Sequence, residues 1–275
     1  MATGLRPLEV TGKRAARSRS WTRVPATLRV NAWRVLLLAV IFSAWEAAVN
    51  QGSISAQFVG KPSIIARQWV DVALHGTLFY DTWVTLTETF AGFGSGILIG
   101  AACGFLMWWW PGLARVLDPF LVMLNSTPRI ALAPVIIIVL GIGFNSKWAL
   151  SFANVVIVAW LTVYEGTKVV DRDLVTLMRA LNASRWQIFT KIVYPTVLPT
   201  LISTFKICIG FALIGAVVGE FISAKAGLGH FIWKSGSIYE LNLVWAGIFT
   251  LMIVSFLVYL VIDRFERALL SWRRS

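Results

Sequence analysis

Charge is scarce in this sequence, and negative charge scarcest: 14% of its 275 residues are charged, with 13 Asp and Glu against 25 Lys and Arg. Soluble globular domains carry about 25% charged residues, so the deficit excludes that class. Cysteine and histidine number two each. Cys103 and Cys208 fall inside separate apolar runs, as small buried hydrophobes do, and their spacing suits neither a disulfide nor a metal. His75 and His230 stand apart from other ligand types. Neither G-x-x-x-x-G-K-S/T nor G-x-G-x-x-G occurs, so no loop is built to cradle phosphate. Without clustered acid, base and nucleophile the chain reads as no enzyme, holding no cofactor and no metal of its own.

What is abundant is apolar: 57% of the residues are hydrophobic. A spanning helix needs roughly 20 apolar residues. Six segments qualify, at about 33–49, 87–110, 119–142, 148–166, 197–220 and 243–262. Their runs are unbroken where barrel strands would alternate, so the fold class is all-α, a polytopic membrane protein of about six transmembrane helices. Eight basic residues precede or open the first span, against Glu9 alone. With residues 1–32 placed inside as a basic cytoplasmic arm, 18 basic residues lie on that side and five outside, Lys147 among the five. That split is what an N-in, C-in topology requires, and it takes the main support from the nucleic-acid reading of the net charge of +12. The arm is too long and arginine-rich for an ordinary signal peptide, so span one reads as an uncleaved anchor. Residues 33–275 form the membrane domain.

Between spans one and two, Pro62 can open an amphipathic helix carrying Ile64, Ile65, Trp69, Val70 and Val72, read as interfacial with a tryptophan anchor. Span two holds Gly92, Gly96, Gly100 and Gly104, one face of a helix on which a neighbour can approach closely. Trp108, Trp109 and Trp110 end it at an aromatic-belt position. Span three is interrupted by Pro128 and Pro134, with Asn125, Ser126, Thr127 and Arg129 near its middle. An arginine at that depth must face protein or water. It reads either as an interhelical lock on a carbonyl or acid, or as part of a translocation path made by Asn125, Ser126, Thr127, Pro128, Arg129 and Pro134. Lys206, nearer the inner end of span five, can snorkel. Glu46, Glu88 and Glu220 sit close to span ends.

The segment 171–195 breaks the apolar pattern. Asp171 can cap a helix with Leu174, Leu177, Met178 and Leu181 on one face. Asn182 can end it in the left-handed conformation, and Ser184 and Gln187 stand at capping-box spacing for a second helix. Pro195 and Pro199 should kink the start of span five. The result is a cytoplasmic hairpin tied to the membrane at both ends. It reads as a DNA-binding helix-turn-helix, a passive interfacial helix, or a contact through which a cytoplasmic partner moves the spans.

These residues resemble a family. The permeases of binding-protein-dependent ABC importers carry a cytoplasmic Glu-Ala-Ala, three residues, Gly, nine residues, then Ile-x-Leu-Pro. The matching positions here are Thr176-Leu177-Met178, Asn182, Ile192, Tyr194 and Pro195, with the Glu and the Gly replaced. ASRWQIF (183–189), PRIALAPVIIIVLGIG (128–143), ALIGAVVGEF (212–221) and AGLGHFIW (226–233) look like the nitrate/sulfonate/taurine (bicarbonate) branch.

The resemblance implies a type I importer in a bacterial inner membrane. Its parts would be two permease copies forming a homodimer within membrane lipid, two cytoplasmic ATPases that hold ATP and Mg, and an external solute-binding protein. Thr176, Leu177, Met178, Leu181, Asn182, Ala183, Ser184, Arg185 and Trp186 would be the ATPase-coupling residues. The branch and Arg129 lean towards a small anion such as a sulfonate or carboxylate, with a heterocyclic vitamin precursor open. A secondary transporter or channel acting alone is the rival, disfavoured by few intramembrane acids and no inverted repeat.

Overall fold

A computed structural model describes residues 26–270. The first 25 residues of the predicted arm lie outside the described residues. There is no strand among the described residues. The chain divides into two units, Met1–Trp45 and Glu46–Ser275. Helix α1, Ala26–Asn50, begins ahead of the expected boundary at 33, so residues 26–32 of the expected arm are helical.

Within the second unit, short α2 (Ala56–Val59) and α3 (Pro62–His75) lead into α4 (Leu78–Trp109). Then follow α5 (Pro111–Ser126), a 3-10 turn (Arg129–Leu132), α6 (Ala133–Leu140) and α7 (Phe144–Lys168). The hairpin helices α8 (Arg172–Ala180) and α9 (Arg185–Ile188) run through a π-helical turn (Phe189–Val193) into α10 (Tyr194–Ser223). Helices α11 (Leu228–Ser237) and α12 (Leu241–Leu269) complete it. By length and hydropathy α1, α4, α7, α9–α10 and α12 can each cross a membrane, and α5 to α6 forms a pair bent by 88°.

Span two begins earlier than expected, at Leu78 instead of 87, and the Asp81 that it takes in is buried against protein. Polar groups with protein partners do not end a span. Gly92, Gly96, Gly100 and Gly104 all face α7: a Cβ on Gly96 would meet Val155 at 2.7 Å, and one on Gly104 would meet Val163 at 2.6 Å. Two further bonds keep step with them. Trp148 Nε1 donates to Ser95 Oγ at 3.1 Å, and Trp160 Nε1 to Met107 Sδ at 2.9 Å. Position increases together along both helices, so α4 and α7 are parallel.

Parallel neighbours fix what the bent pair does. The chain leaves α4 level with Trp160 and starts α7 beyond the level of Ser95. The pair α5–α6 therefore carries it back across the same thickness and counts as one broken crossing. Its break lies at Thr127 and Pro128, both extended (ψ 132° and 92°). The expectation that Pro134 also interrupts the ladder is corrected. Pro134 occupies the first turn of α6, where no intrahelical donor is required.

Helix α10 runs antiparallel to α7, with Gly166 facing Val197, Gly215 facing Ser151 and Gly219 facing Lys147. The main core, including Val155, Ala159, Val163, Val197, Cys208 and Ala212, lies between α4, α7 and α10. At the opposite end of α10, Trp69 of α3 packs with Leu78, Leu228 and Val254 and donates to Thr250 Oγ1 at 2.9 Å. Trp69 is thus a packing residue on α12 and not the lipid anchor expected of it.

Candidate functional site

The hairpin is assembled by local chemistry. Asp171 accepts from the Asp173 N–H at 2.8 Å and caps α8. Asn182 adopts φ +57°, turning the chain where a side chain is rarely tolerated. Ser184 N–H donates to Gln187 Oε1 at 2.8 Å, and Gln187 N–H to Ser184 Oγ at 3.2 Å, a reciprocal cap on α9. The expected kink at Pro195 does not separate α9 from the span. The π turn just before Pro195 absorbs the missing donor and ring clash, so helix continues from Arg185 to Ser223. The second arm of the hairpin is a direct extension of α10.

The structure sorts the nine expected coupling residues. Leu177, Leu181 and Trp186 are exposed, as is Leu174. Met178 and Ala183 turn inward with Val175 onto the main core, which corrects the placing of Met178 with the leucines. Thr176 and Arg185 line a cavity beneath the hairpin. The Thr176 hydroxyl donates to the Arg172 carbonyl at 2.9 Å. Asn182 and Ser184 make the turn and the cap.

The end of α4 holds the hairpin from behind. Arg185 donates through Nη2 to the Trp109 carbonyl, in the last turn of α4, and lies over the rings of Trp108 and Trp109 at 5.7 and 5.2 Å. A cation there also meets the negative end of the helix dipole. Phe189 contacts Phe105, Trp108, Trp109 and Trp186 with ring centroids 5.3–5.9 Å apart. Two of the three belt tryptophans are therefore hairpin contacts. Trp110, 51% exposed, keeps an interfacial position.

At the broken span, Arg129 Nη1 donates to the Asn154 carbonyl of α7 at 2.8 Å. Its Nη2 reaches the Asn125 carbonyl and Oδ1 at 3.4 and 3.3 Å, and the guanidinium lies 5.8 Å from the Phe211 ring. Ser126 and Thr127 hydroxyls return to the carbonyls of Val122 and Met123 at 3.0 and 2.8 Å, closing the end of α5. The Met123 carbonyl also accepts from the Thr127 N–H at 3.1 Å, whereas the Asn125 carbonyl, at the end of α5, is reached by Arg129. Lys206 does not snorkel: it is paired with Asp263 at 2.6 Å and Glu266 at 2.7 Å on α12.

A second polar cluster, missed by the sequence reading, lies at the outer end of α4. Glu220, fully buried, accepts from Thr85 Oγ1 at 2.7 Å and from the Gly229 N–H at 2.6 Å. Thr85 accepts from the Leu228 N–H, and Asp81 from the Gly227 N–H, both at 2.8 Å. Glu88 and Lys147, each 3% exposed, are buried beside it, and Lys147 supplies the opposing charge to Glu88 and Glu220. Lys147 is thus no loop residue. The signal was present in the stretches ending GEF and beginning AGLG, but nothing in either names its partner on α4.

The fold defines a class: a multi-pass helical membrane protein with a helical hairpin that is continuous with α10 and packed against α4. Comparison identifies the family. Residues 96–271 match the binding-protein-dependent transport system inner membrane component, and the chain belongs to that family. It is 29% identical over 245 residues to a permease named for aliphatic sulfonates transport, SsuC of Bacillus subtilis, covering 88% of this chain and 87% of that one. It is 29% identical to the formylaminopyrimidine transport permease ThiX of Halalkalibacterium halodurans, covering 87% and 94%. To the taurine transport permease TauC of Escherichia coli it is 26% identical, covering 86% and 87%. Among solved structures, a chain of the inward-facing MetNI methionine ABC transporter shares the fold, with TM-score 0.62, 23% identity, and coverage of 71% of this chain and 97% of that one. The chain is a multi-pass inner-membrane permease of an ABC importer, and not an enzyme.

Proposed function

We propose that two copies of this chain form the membrane path of an ATP-driven importer, and that the hairpin transmits motion from a separate cytoplasmic ATPase, which binds the ATP and Mg. A solute-binding protein would deliver the solute at the outer face, and the spans would alternate access as the ATPases close and open. The observation that carries this reading is the exposed row Leu174, Leu177 and Leu181 on a hairpin whose other face is fixed to α4 and α10. An apolar row on a surface braced this way suits a partner's groove. Thr176 replaces the family's Glu, so a dedicated ATPase with an adapted groove is part of the proposal. Arg129 and its polar neighbours are proposed to border the path while bracing the broken span.

The solute is proposed to be a small organic anion such as a sulfonate or carboxylate, in keeping with the names of two relatives. A heterocyclic vitamin precursor is the second reading, favoured by the name of the third. Leu181→Glu should abolish ATPase copurification and uptake while the permease inserts normally. Unchanged uptake would refute the coupling role, and transport by the purified chain alone would favour an autonomous transporter. ATPase stimulation by binding protein loaded with a sulfonate or with a pyrimidine distinguishes the solutes.

A further inference from the structure

The hairpin's inner side encloses an open cavity of about 1150 Å³ between α8, α9 and the cytoplasmic ends of α4, α5 and α7. That exceeds the roughly 300–1,000 Å³ of a small-molecule site. Five cations line it and no acid does: Arg115, Lys168, Arg172, Arg179 and Arg185. Two of the five are engaged. Lys168 pairs with Glu165 at 2.8 Å and Asp118 at 3.4 Å, and Arg185 is fixed to the end of α4. Among the described residues, Arg115, Arg172 and Arg179 have no acid partner. Three guanidinium groups from α5 and α8 thus converge on one cavity with their charge uncompensated.

The remaining lining is mixed, with Tyr164, Thr167 and Thr176 beside the apolar Met107, Ala114, Val170, Val175 and Ile188. Trp110, Val116 and Val169, close to the lining residues in sequence, are exposed apolar side chains. Tryptophans and bare apolar side chains at the cytoplasmic ends of spans mark the level of the lipid headgroups. A free anion would be met by the guanidinium groups alone. A headgroup also brings a glycerol and the start of its acyl chains, which match the apolar part of the lining. Basic pockets between helices on the cytoplasmic side are suited to anionic headgroups, and guanidinium forks grip phosphate in two-point fashion.

We propose that this cavity binds the phosphate headgroup of an anionic phospholipid of the inner leaflet, clamped by Arg115, Arg172 and Arg179, so that lipid joins α8 of the hairpin to α5. The leucine row that faces the ATPase in the functional reading lies on a different face of α8. The lipid site therefore stands or falls separately from coupling.

The test uses the full-length permease extracted in mild detergent, exposed to phosphatidylglycerol or phosphatidylcholine, with retained lipid measured by native mass spectrometry. The intact chain should retain phosphatidylglycerol preferentially, and each Arg→Gln change at 115, 172 and 179 should weaken that preference about fivefold at low salt. Arg67→Gln with Lys225→Gln, outside the membrane, should leave it unchanged. If the triple variant fails to insert, Arg179→Gln alone carries the test. Equal retention of both lipids, or a preference that survives all three substitutions, would overturn the proposal. In phosphatidylcholine nanodiscs, thermal stabilisation by added phosphatidylglycerol but not by inorganic phosphate supports a lipid. Equal stabilisation by phosphate would make this a free-anion site and overturn the lipid assignment. Loss of ATPase copurification in the triple variant, with lipid preference intact, would assign the arginines to the protein partner instead.

Discussion

Glu220 Oε1 accepts a hydrogen bond from Thr85 Oγ1 at 2.7 Å, joining α10 to α4 across 135 positions of sequence. The same hydroxyl oxygen accepts from the Leu228 N–H at 2.8 Å. One threonine thus serves a buried carboxylate and a backbone donor at the start of α11. Loss of this hydroxyl would leave the buried Leu228 N–H without its acceptor and Glu220 with one donor fewer.

Thr85→Val keeps the shape and removes the hydroxyl. It should cost about 1–3 kcal/mol of stability, seen as a lower thermal midpoint in fluorescence-detected size exclusion. Thr85→Ser should restore most of it. A midpoint unchanged in Thr85→Val would show that water replaces the bonds.

Gly227 has φ +112°, and a Cβ there would run into the Glu220 carboxylate. Gly227→Ala combines backbone strain of about 1–3 kcal/mol with a steric clash, so the yield of folded permease should collapse. Gly112→Ala, where nothing lies within 4 Å, should be silent in the same expression assay.

The glycine face makes a graded prediction. Overpacking costs about 1–3 kcal/mol, so Gly104→Ala should lower the thermal midpoint and Gly104→Leu should prevent α4 from seating on α7. Gly94 faces open space on the same helix, and Gly94→Ala should leave the midpoint unchanged.

Arg129→Ala should release both Asn125 and the Asn154 carbonyl and loosen the broken span, read as faster proteolysis near the break. Arg129→Lys retains the charge but not the forked geometry, so it should rescue insertion better than stability. Normal proteolytic resistance in Arg129→Ala would leave Arg129 a path residue only.

Lys206→Met should remove the cation that Asp263 and Glu266 share, leaving Asp263 with Arg267 and Glu266 with the Ser203 hydroxyl, and reduce assembly, and adding Asp263→Asn with Glu266→Gln should restore it. Failure of that rescue would mean that packing, not charge, joins α10 to α12 at this level. The comparison is made by size exclusion of the two variants against the unaltered chain.

The sequence determined what short-range chemistry controls. Hydropathy located the spanning helices, but Asp81 shortened α4 on paper, and the run from Arg185 into α10 opens well ahead of the expected 197. The caps at Asp171 and Ser184 and the left-handed turn at Asn182 depend only on residues within a few positions, so the hairpin was legible. The Gly92–Gly104 face was legible too, because four glycines at one spacing need a close neighbour.

Tertiary structure alone decided which neighbour, and in which direction. Lipid is as apolar as a leucine-rich helix face, so hydropathy does not distinguish a packed face from a lipid-facing one. That is why the parallel seating of α4 on α7, and with it the broken crossing of α5 and α6, appears only in three dimensions. The inward turn of Met178 and Ala183, the burial of Lys147, the capture of Trp69 by Thr250 and the meeting of Glu220 with Thr85 follow the same rule. Each depends on a partner tens of residues away or more, or on the side of a helix that the rest of the fold covers.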